Sequence, residues 1–336
     1  MSSVSRALET QRPFTDGFGR WLPRVVATAL LASGLLTLSY AGLCLYVATR
    51  LVYVAPTPVT TTPASLGLAY REVTFPSRGD HVLLKGWYIP GVLPDGQLTT
   101  ATTIIAVHGL RTNRTDPGVG LLALSGALAR QGFAVLAFDM RGMGASPPAP
   151  ISFGLDEQRD VLGAVDWLRS GVLPYPALGR PRHLLGWGVS MGAATLLFAA
   201  AQEPAIQAVV SDSAYADLLP VLEKQLPPQS GLPAFFTPGI LEAARALYGI
   251  DYTAVRPVDV VARLAPRPVF FIQGANDTYV PTSALSELDL AARAAPGARV
   301  QSWLVPGASH AQSFHVAGAE YVTRVVAFYR AALGQP

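Results

Sequence analysis

Between Val25 and Thr49 the chain reads VVATALLASGLLTLSYAGLCLYVAT, without one charged side chain. Few conformations suit such a run. As a helix it spans roughly 37 Å at 1.5 Å per residue, enough to cross a hydrocarbon core of about 30 Å with some tilt. A cleaved signal peptide is the competing reading. Against it stand the long polar leader of residues 1–24, an apolar run longer than a signal core, and the lack of a small-x-small cleavage site near Arg50. Residues 25–49 are therefore expected to be an uncleaved transmembrane helix. Arg6, Arg12, Arg20 and Arg24 precede it, while Arg50 alone follows closely. That asymmetry predicts a cytoplasmic leader and a C-terminal part on the far side of the membrane.

Composition narrows the classes further. Half the residues are hydrophobic and 14% are charged, which suits a membrane element. The net charge is only +3, and the arginines are scattered singly rather than gathered in a stripe, so no nucleic-acid partner is expected. Cys44 is the sole cysteine, which excludes an intramolecular disulfide and a cysteine-based metal site. The Arg-rich, Lys-poor composition, with Lys85 and Lys224 as the only lysines, points to a bacterial inner membrane.

After the anchor, residues 50–66 contain the Pro/Thr-rich APTPVTTTPAS, which reads as an extended linker or stalk. From Gly67 the pattern becomes globular and continues to residue 336. YREVTFP and HVLLKGWYIP read as antiparallel strands around a turn at Ser77–Asp80. TTIIAVHG, FAVLAFD, RHLLGWG, IQAVVSD, PVFFIQG and VQSWLVPG then read as strands. Helical segments separate most of them, including FGLDEQRDVLGAVDWLRSG and a last helix from near His315 to Leu333. Short apolar strands alternating with helices mean an α/β fold with a mostly parallel sheet covered on both faces. Between Asp212 and Pro268 the rhythm breaks. Residues 213–262, rich in Pro, Leu and aromatics, read as an inserted lid, with Phe235 and Phe236 expected to line a pocket for an acyl chain.

The chemistry centres on Gly188-Val189-Ser190-Met191-Gly192, a G-x-S-x-G placed where a strand ends and a helix begins. The glycines suit a turn too tight for larger side chains. Such a turn lifts the serine oxygen above the sheet and sets the Met191 N–H beside it, at a helix N-terminus that favours an anion. A serine oxygen is a poor nucleophile until a base takes its proton. Of the five histidines, His81 lies in a hairpin turn, His183 opens a strand and His108 shapes a strand end. His310, in PGASHAQSF directly after the last strand, is favoured as the base over His315 at the start of the final helix. The base needs a carboxylate to fix its tautomer. Asp277 in IQGANDTYVP fills that role, in the chain order Ser…Asp…His, with Asp212 in reserve.

These residues resemble the α/β-hydrolase superfamily over roughly Tyr70 to Leu333. The likeness is carried by HGL at His108–Leu110, DMRGMGAS at Asp139–Ser146, the turn around Ser190, GANDTYVP around Asp277, and GASH ending at His310. The resemblance implies a serine hydrolase of the esterase, lipase or peptidase-like branch, with Ser190, Asp277 and His310 as catalytic triad. It also implies an oxyanion hole made by the backbone N–H groups of Leu110 and Met191. Asp139 and Arg141 read as structural. No metal or organic cofactor is implied, and the expected partner is a small-molecule or lipid acyl substrate.

Two rival classes make different demands. Gly186, Gly188 and Gly192 approximate a dinucleotide-binding loop with Asp212 as a ribose ligand, but Met191 stands where the third glycine belongs. A non-catalytic binding protein on this fold would be expected to lack a triad residue, and none is missing. The sequons Asn113-Arg114-Thr115 and Asn276-Asp277-Thr278 fall in loops expected to rim the site, where a glycan would block access.

Overall fold

Side chains along a strand point alternately to the two faces of its sheet, and the central strands of this chain are apolar at almost every position. In the computed structural model, which describes residues 18–335, they build one eight-stranded sheet. The residues 1–17 of the expected leader lie outside the described residues. The sheet strands are β1 (Arg71–Pro76), β2 (Leu83–Ile89), β5 (Thr102–Val107), β6 (Ala134–Asp139), β7 (His183–Val189), β8 (Ile206–Asp212), β9 (Val269–Gly274) and β10 (Val300–Val305). A separate short ribbon pairs β3 (Gly91–Val92) with β4 (Leu98–Thr99). The sheet order is β1-β2-β6-β5-β7-β8-β9-β10, and β2 alone runs antiparallel to its neighbours.

The alternation divides the core in two. Ile105 and Val107 of β5, with Leu136 and Phe138 of β6, face the core shared with α3 (Gln158–Ser170), α4 (Met191–Gln202) and α7 (Ser283–Arg293). Ile104 and Ala106, with Val135 and Ala137, face the core under α2 (Leu121–Ala129) and α9 (Ala319–Ala332). On β7 the large residues Leu185, Trp187 and Val189 take the second face, leaving Gly186 and Gly188 toward α4. A Cβ on Gly186 would stand 2.6 Å from Leu196, so the glycine lets α4 lie close on the sheet.

Two helices are shorter than their sequence patterns suggest. The run from Phe153 begins with turns, because Phe153 and Gly154 take φ of 57° and 115°, and α3 starts only at Gln158. The C-terminal run breaks at Gly318, φ 51°, into α8 (Ser313–Ala317) and α9. The insertion between β8 and β9 holds α5 (Leu218–Ser230), α6 (Thr237–Tyr248) and several short 3-10 turns.

The N-terminal helix α1 (Phe18–Val52) has two parts. Every residue from Trp21 to Ser39 is exposed, a stretch roughly 28 Å long at helical rise. From Tyr40 the helix meets the domain, and Cys44, Ala48, Leu51 and Val52 are buried. The Tyr40 ring stacks on Phe236 at 4.8 Å, Thr49 hydrogen-bonds the Tyr248 hydroxyl at 2.9 Å, and the Ile151 N–H donates to the Val52 carbonyl at 2.9 Å. Beyond it the Pro/Thr-rich segment is pinned. Thr57 Oγ1 donates to the Arg111 carbonyl at 3.0 Å, and Asn113 Nδ2 donates to the Thr57 and Pro58 carbonyls at 3.1 Å.

Candidate active site

Ser190 occupies the turn from β7 to α4 with φ 53° and ψ −122°, a region that costs a non-glycine residue on the order of 1–3 kcal/mol. Its neighbours make the turn possible. A Cβ on Gly188 would stand 2.6 Å from the Gly192 carbonyl oxygen, and one on Gly192 would collide with the carbonyl oxygens of Val107 and His108. The turn is fixed in place by the Ser190 N–H, which donates to the Asp212 carbonyl at 2.8 Å. The glycine spacing is thus accounted for by close packing, with Gly186 and Trp187 inside the strand rather than in a phosphate-cradling loop.

Asp277 lies in the turn after β9. Its Oδ1 accepts the N–H groups of Tyr279 and Val280, each at 2.9 Å, which locks the carboxylate and leaves Oδ2 for another partner. That partner is His310, whose Nδ1 lies 2.8 Å from Oδ2. The imidazole Nε2 lies 2.9 Å from Ser190 Oγ. The Tyr279 ring stacks on the imidazole at 4.9 Å and holds its plane. Three side chains from three strand ends therefore form one continuous hydrogen-bonded row.

The other candidates lie elsewhere. His315 and His81 are exposed, and His183 bonds Gln207 at 2.9 Å. His108 is buried, with Nδ1 donating to the Gly109 carbonyl at 2.7 Å and Nε2 accepting from the Met140 N–H at 3.0 Å, so it shapes the loop. Asp212 does not reach the base. It is buried and accepts from the hydroxyls of Tyr321 at 2.9 Å, Ser213 at 2.8 Å and Ser313 at 3.1 Å; burial pushes its carboxyl up to about 6. Ser213 Oγ in turn accepts the Ala311 N–H at 3.1 Å, so this network braces the loop that carries His310. Asp139 accepts from Arg114 and Ala145, and Arg141 bridges Asp160 and Asp80, which are structural roles.

A cavity of about 520 Å³ opens over Ser190 and His310. Leu110, Val119, Tyr279, Gln229 and Gln312 contribute to its walls. Among the described residues, neither the Leu110 nor the Met191 N–H donates to another protein group. Asp116 shares the cavity, and burial raises its carboxyl, favouring the neutral form. Phe235 and Phe236 are not in this wall. They stack on the Tyr40 ring of α1 instead, an aromatic partner that the sequence pattern does not reveal. From the insertion, Gln229 reaches the cavity. Asn113 is buried with its amide committed to the linker, which leaves no room for a glycan there. Among the described residues no cluster of His, Cys, Asp or Glu converges as a metal would require.

Sequence reasoning missed Tyr279 and the bracing role of Asp212. The first could have been found from its place two residues after Asp277. The second depends on Tyr321 and Ser313, far along the chain, and carries no local signal.

Comparison with known proteins agrees with this architecture. A family model described as the alpha/beta hydrolase fold matches residues 102–244. An uncharacterized protein of Mycobacterium tuberculosis is 30% identical over 291 residues, covering 87% of this chain and 88% of its own length. An esterase of Pyrococcus furiosus superposes with a TM-score of 0.68 at 23% identity, over 84% of this chain and 98% of that one. A puromycin-hydrolyzing peptidase of M. tuberculosis gives 0.60 at 20% identity, over 79% of this chain and 40% of that one. At such identities the two solved structures speak for the fold alone. With the sheet order, the β7–α4 turn and these matches in agreement, the chain belongs to the α/β-hydrolase superfamily.

Proposed function

We propose that the protein is a membrane-anchored serine hydrolase that cleaves carboxylic esters through an acyl-enzyme on Ser190. The observation that carries this reading is the row Ser190–His310–Asp277, with gaps of 2.9 and 2.8 Å, beneath a cavity that Leu110 also lines.

In this mechanism Ser190 Oγ attacks the substrate carbonyl carbon while its proton moves to His310 Nε2. The Asp277 carboxylate accepts from Nδ1–H, holds the tautomer that leaves Nε2 free, and stabilises the imidazolium that forms. The carbonyl oxygen becomes an oxyanion and is received by the N–H groups of Leu110 and Met191, the latter at the positive end of α4. When the intermediate collapses, His310 returns the proton to the leaving oxygen. Water then attacks the acyl-enzyme by the same steps in reverse roles. Thioesters and amides could use the same machinery. An ester is the simplest of the three to test, and an esterase and a peptidase both occur among the proteins that share this fold.

Residues 25–39 of α1 are uncharged and every one is exposed, roughly 22 Å of helix with Trp21 and Arg24 at its N-terminal edge, which supports a membrane span. The arginines before it support a cytoplasmic N-terminus and an active site on the other side. Treatment with a fluorophosphonate probe followed by mass spectrometry tests the central reading. The adduct should lie on the peptide holding Ser190, and an adduct elsewhere would overturn it.

A further inference from the structure

A second cavity, of about 420 Å³, lies beside the first, between the last turns of α1, the end of α5 and the loop after Leu110. Two of its wall residues, Arg111 and Gln229, also line the cavity over Ser190, so the two spaces share a partition. These two residues are joined to each other, Arg111 Nη1 donating to Gln229 Oε1 at 3.1 Å. Arg111 follows the Leu110 N–H directly and holds φ at 58°, a conformation rare for a non-glycine residue and common where a site demands it.

The new cavity combines opposite characters. Arg50 and Arg111 both face it, and neither guanidinium meets a carboxylate among the described residues. Leu51, Val54 and Leu226 supply an apolar wall. Two cations without acidic partners, set against apolar carbon, suit a ligand with a charged end and a hydrocarbon body. Arginine favours phosphate and carboxylate because its planar fork donates two parallel hydrogen bonds. The cavity also sits on α1 itself, eleven residues or roughly 16 Å of helix beyond the end of the bare stretch at Ser39.

We infer that this cavity is a subsite for the anionic end of an amphiphile, clamped by Arg50 and Arg111, while the scissile carbonyl of the same molecule lies at Ser190. The assignment of a substrate rests on the hydrolase reading above; the binding of the anionic amphiphile does not. The substrate class is then an acyl ester that carries a phosphate or carboxylate.

The test is equilibrium binding to the full chain in neutral-detergent micelles, by titration calorimetry with dodecyl phosphate and with inorganic phosphate. Dodecyl phosphate should bind the unaltered chain. Arg50→Gln and Arg111→Gln should each weaken it roughly tenfold or more, the loss expected for a charge-assisted hydrogen bond. Arg71→Gln, a charge change on the far edge strand, should leave it unaltered. Equal binding by all four chains would overturn the subsite. Inorganic phosphate binding as tightly as dodecyl phosphate would overturn the amphiphile and assign the arginines to a free anion. Dodecyl phosphate should also compete with hydrolysis of p-nitrophenyl butyrate. If binding follows the arginines while no ester is cleaved and Ser190 takes no probe, the hydrolase reading fails and the binding site stands.

Discussion

The strand ends around Ser190 and the α1–α6 face are both apolar, well packed and built from parts distant in sequence, yet different forces shape them. Around Ser190 the geometry is enforced by collisions and by directed hydrogen bonds. Gly192 has carbonyl oxygens where a Cβ would go, and Asp277 has one oxygen tied to two backbone N–H groups. On α1 and α6 the fit is mainly one of area, Tyr40 on Phe236 and Tyr53 edge-on to Tyr248, and the close approach at Gly239 is to the side chains of Tyr40 and Cys44, which can shift as backbone cannot. Collisions and hydrogen bonds specify one arrangement and fail sharply. Area is tolerant and fails by degrees.

The largest expected effect follows from the first kind of enforcement. Ser190→Ala and His310→Ala should each lower turnover of a soluble ester by roughly 10⁴-fold or more, because the members of the proposed triad would act as a unit. Asp277→Asn should be severe with residual activity, and His315→Ala mild. Steady-state kinetics decide it; a His315 variant worse than the His310 variant would break the assignment of the base.

Next comes the steric claim. Gly192→Ala places a methyl against the backbone at the end of β5, which cannot yield as a side chain would. A loss of about 3 kcal/mol, the upper part of the range for overpacking, should appear in denaturant unfolding. A variant as stable as the parent would show that the turn is less tightly enforced than the α1–α6 face.

A third prediction concerns the brace behind His310. Asp212 titrates at about 6 in the folded chain against an ordinary 3.8, so the folded state holds its proton more tightly than the unfolded one. Its contribution is complete below pH 4 and is lost as pH rises through 6, a change on the order of 3 kcal/mol. Asp212→Asn should therefore cost most stability at pH 4, and the gap to the parent should narrow by pH 7. Unfolding midpoints across that range measure it; a gap that widens with pH would reverse the sign.

The smallest effects belong to the area-driven face. Phe236→Ala should cost about 2 kcal/mol, below the range for a fully buried phenylalanine, and Phe235→Ala, whose ring is 65% exposed, less than 1 kcal/mol. Neither should change the chain-length preference for soluble esters, since neither ring lines the Ser190 cavity. A shifted preference in either variant would return these rings to the site.

The same contrast explains what could be read from the sequence. The alternating strands, the glycines around Ser190, and Asp277 and His310 at successive strand ends were legible because each follows from local pattern or steric need. The docking of α6 on α1 was not. An apolar helix face looks the same whether lipid or protein covers it, so PAFF read as a pocket lining instead of a packing partner for Tyr40. The breaks at Phe153 and Gly318 were hidden for a related reason: apolar spacing continues through both, and the backbone angles that interrupt it leave no mark on the pattern.

Cys44, Ala48, Leu51 and Val52 lie within the same helix as the bare stretch, and all four are buried in the main core. If the bare stretch spans a membrane as proposed, a protease cutting in it before Tyr40 would free a domain that keeps these residues. One cutting after Val52 would instead strip a wall from the fold, uncovering Phe236 and Tyr248 where they meet Tyr40 and Thr49. Release and destruction would then differ by little more than one dozen residues of helix. A recombinant soluble form should begin near Tyr40, not at the first polar residue after the apolar run.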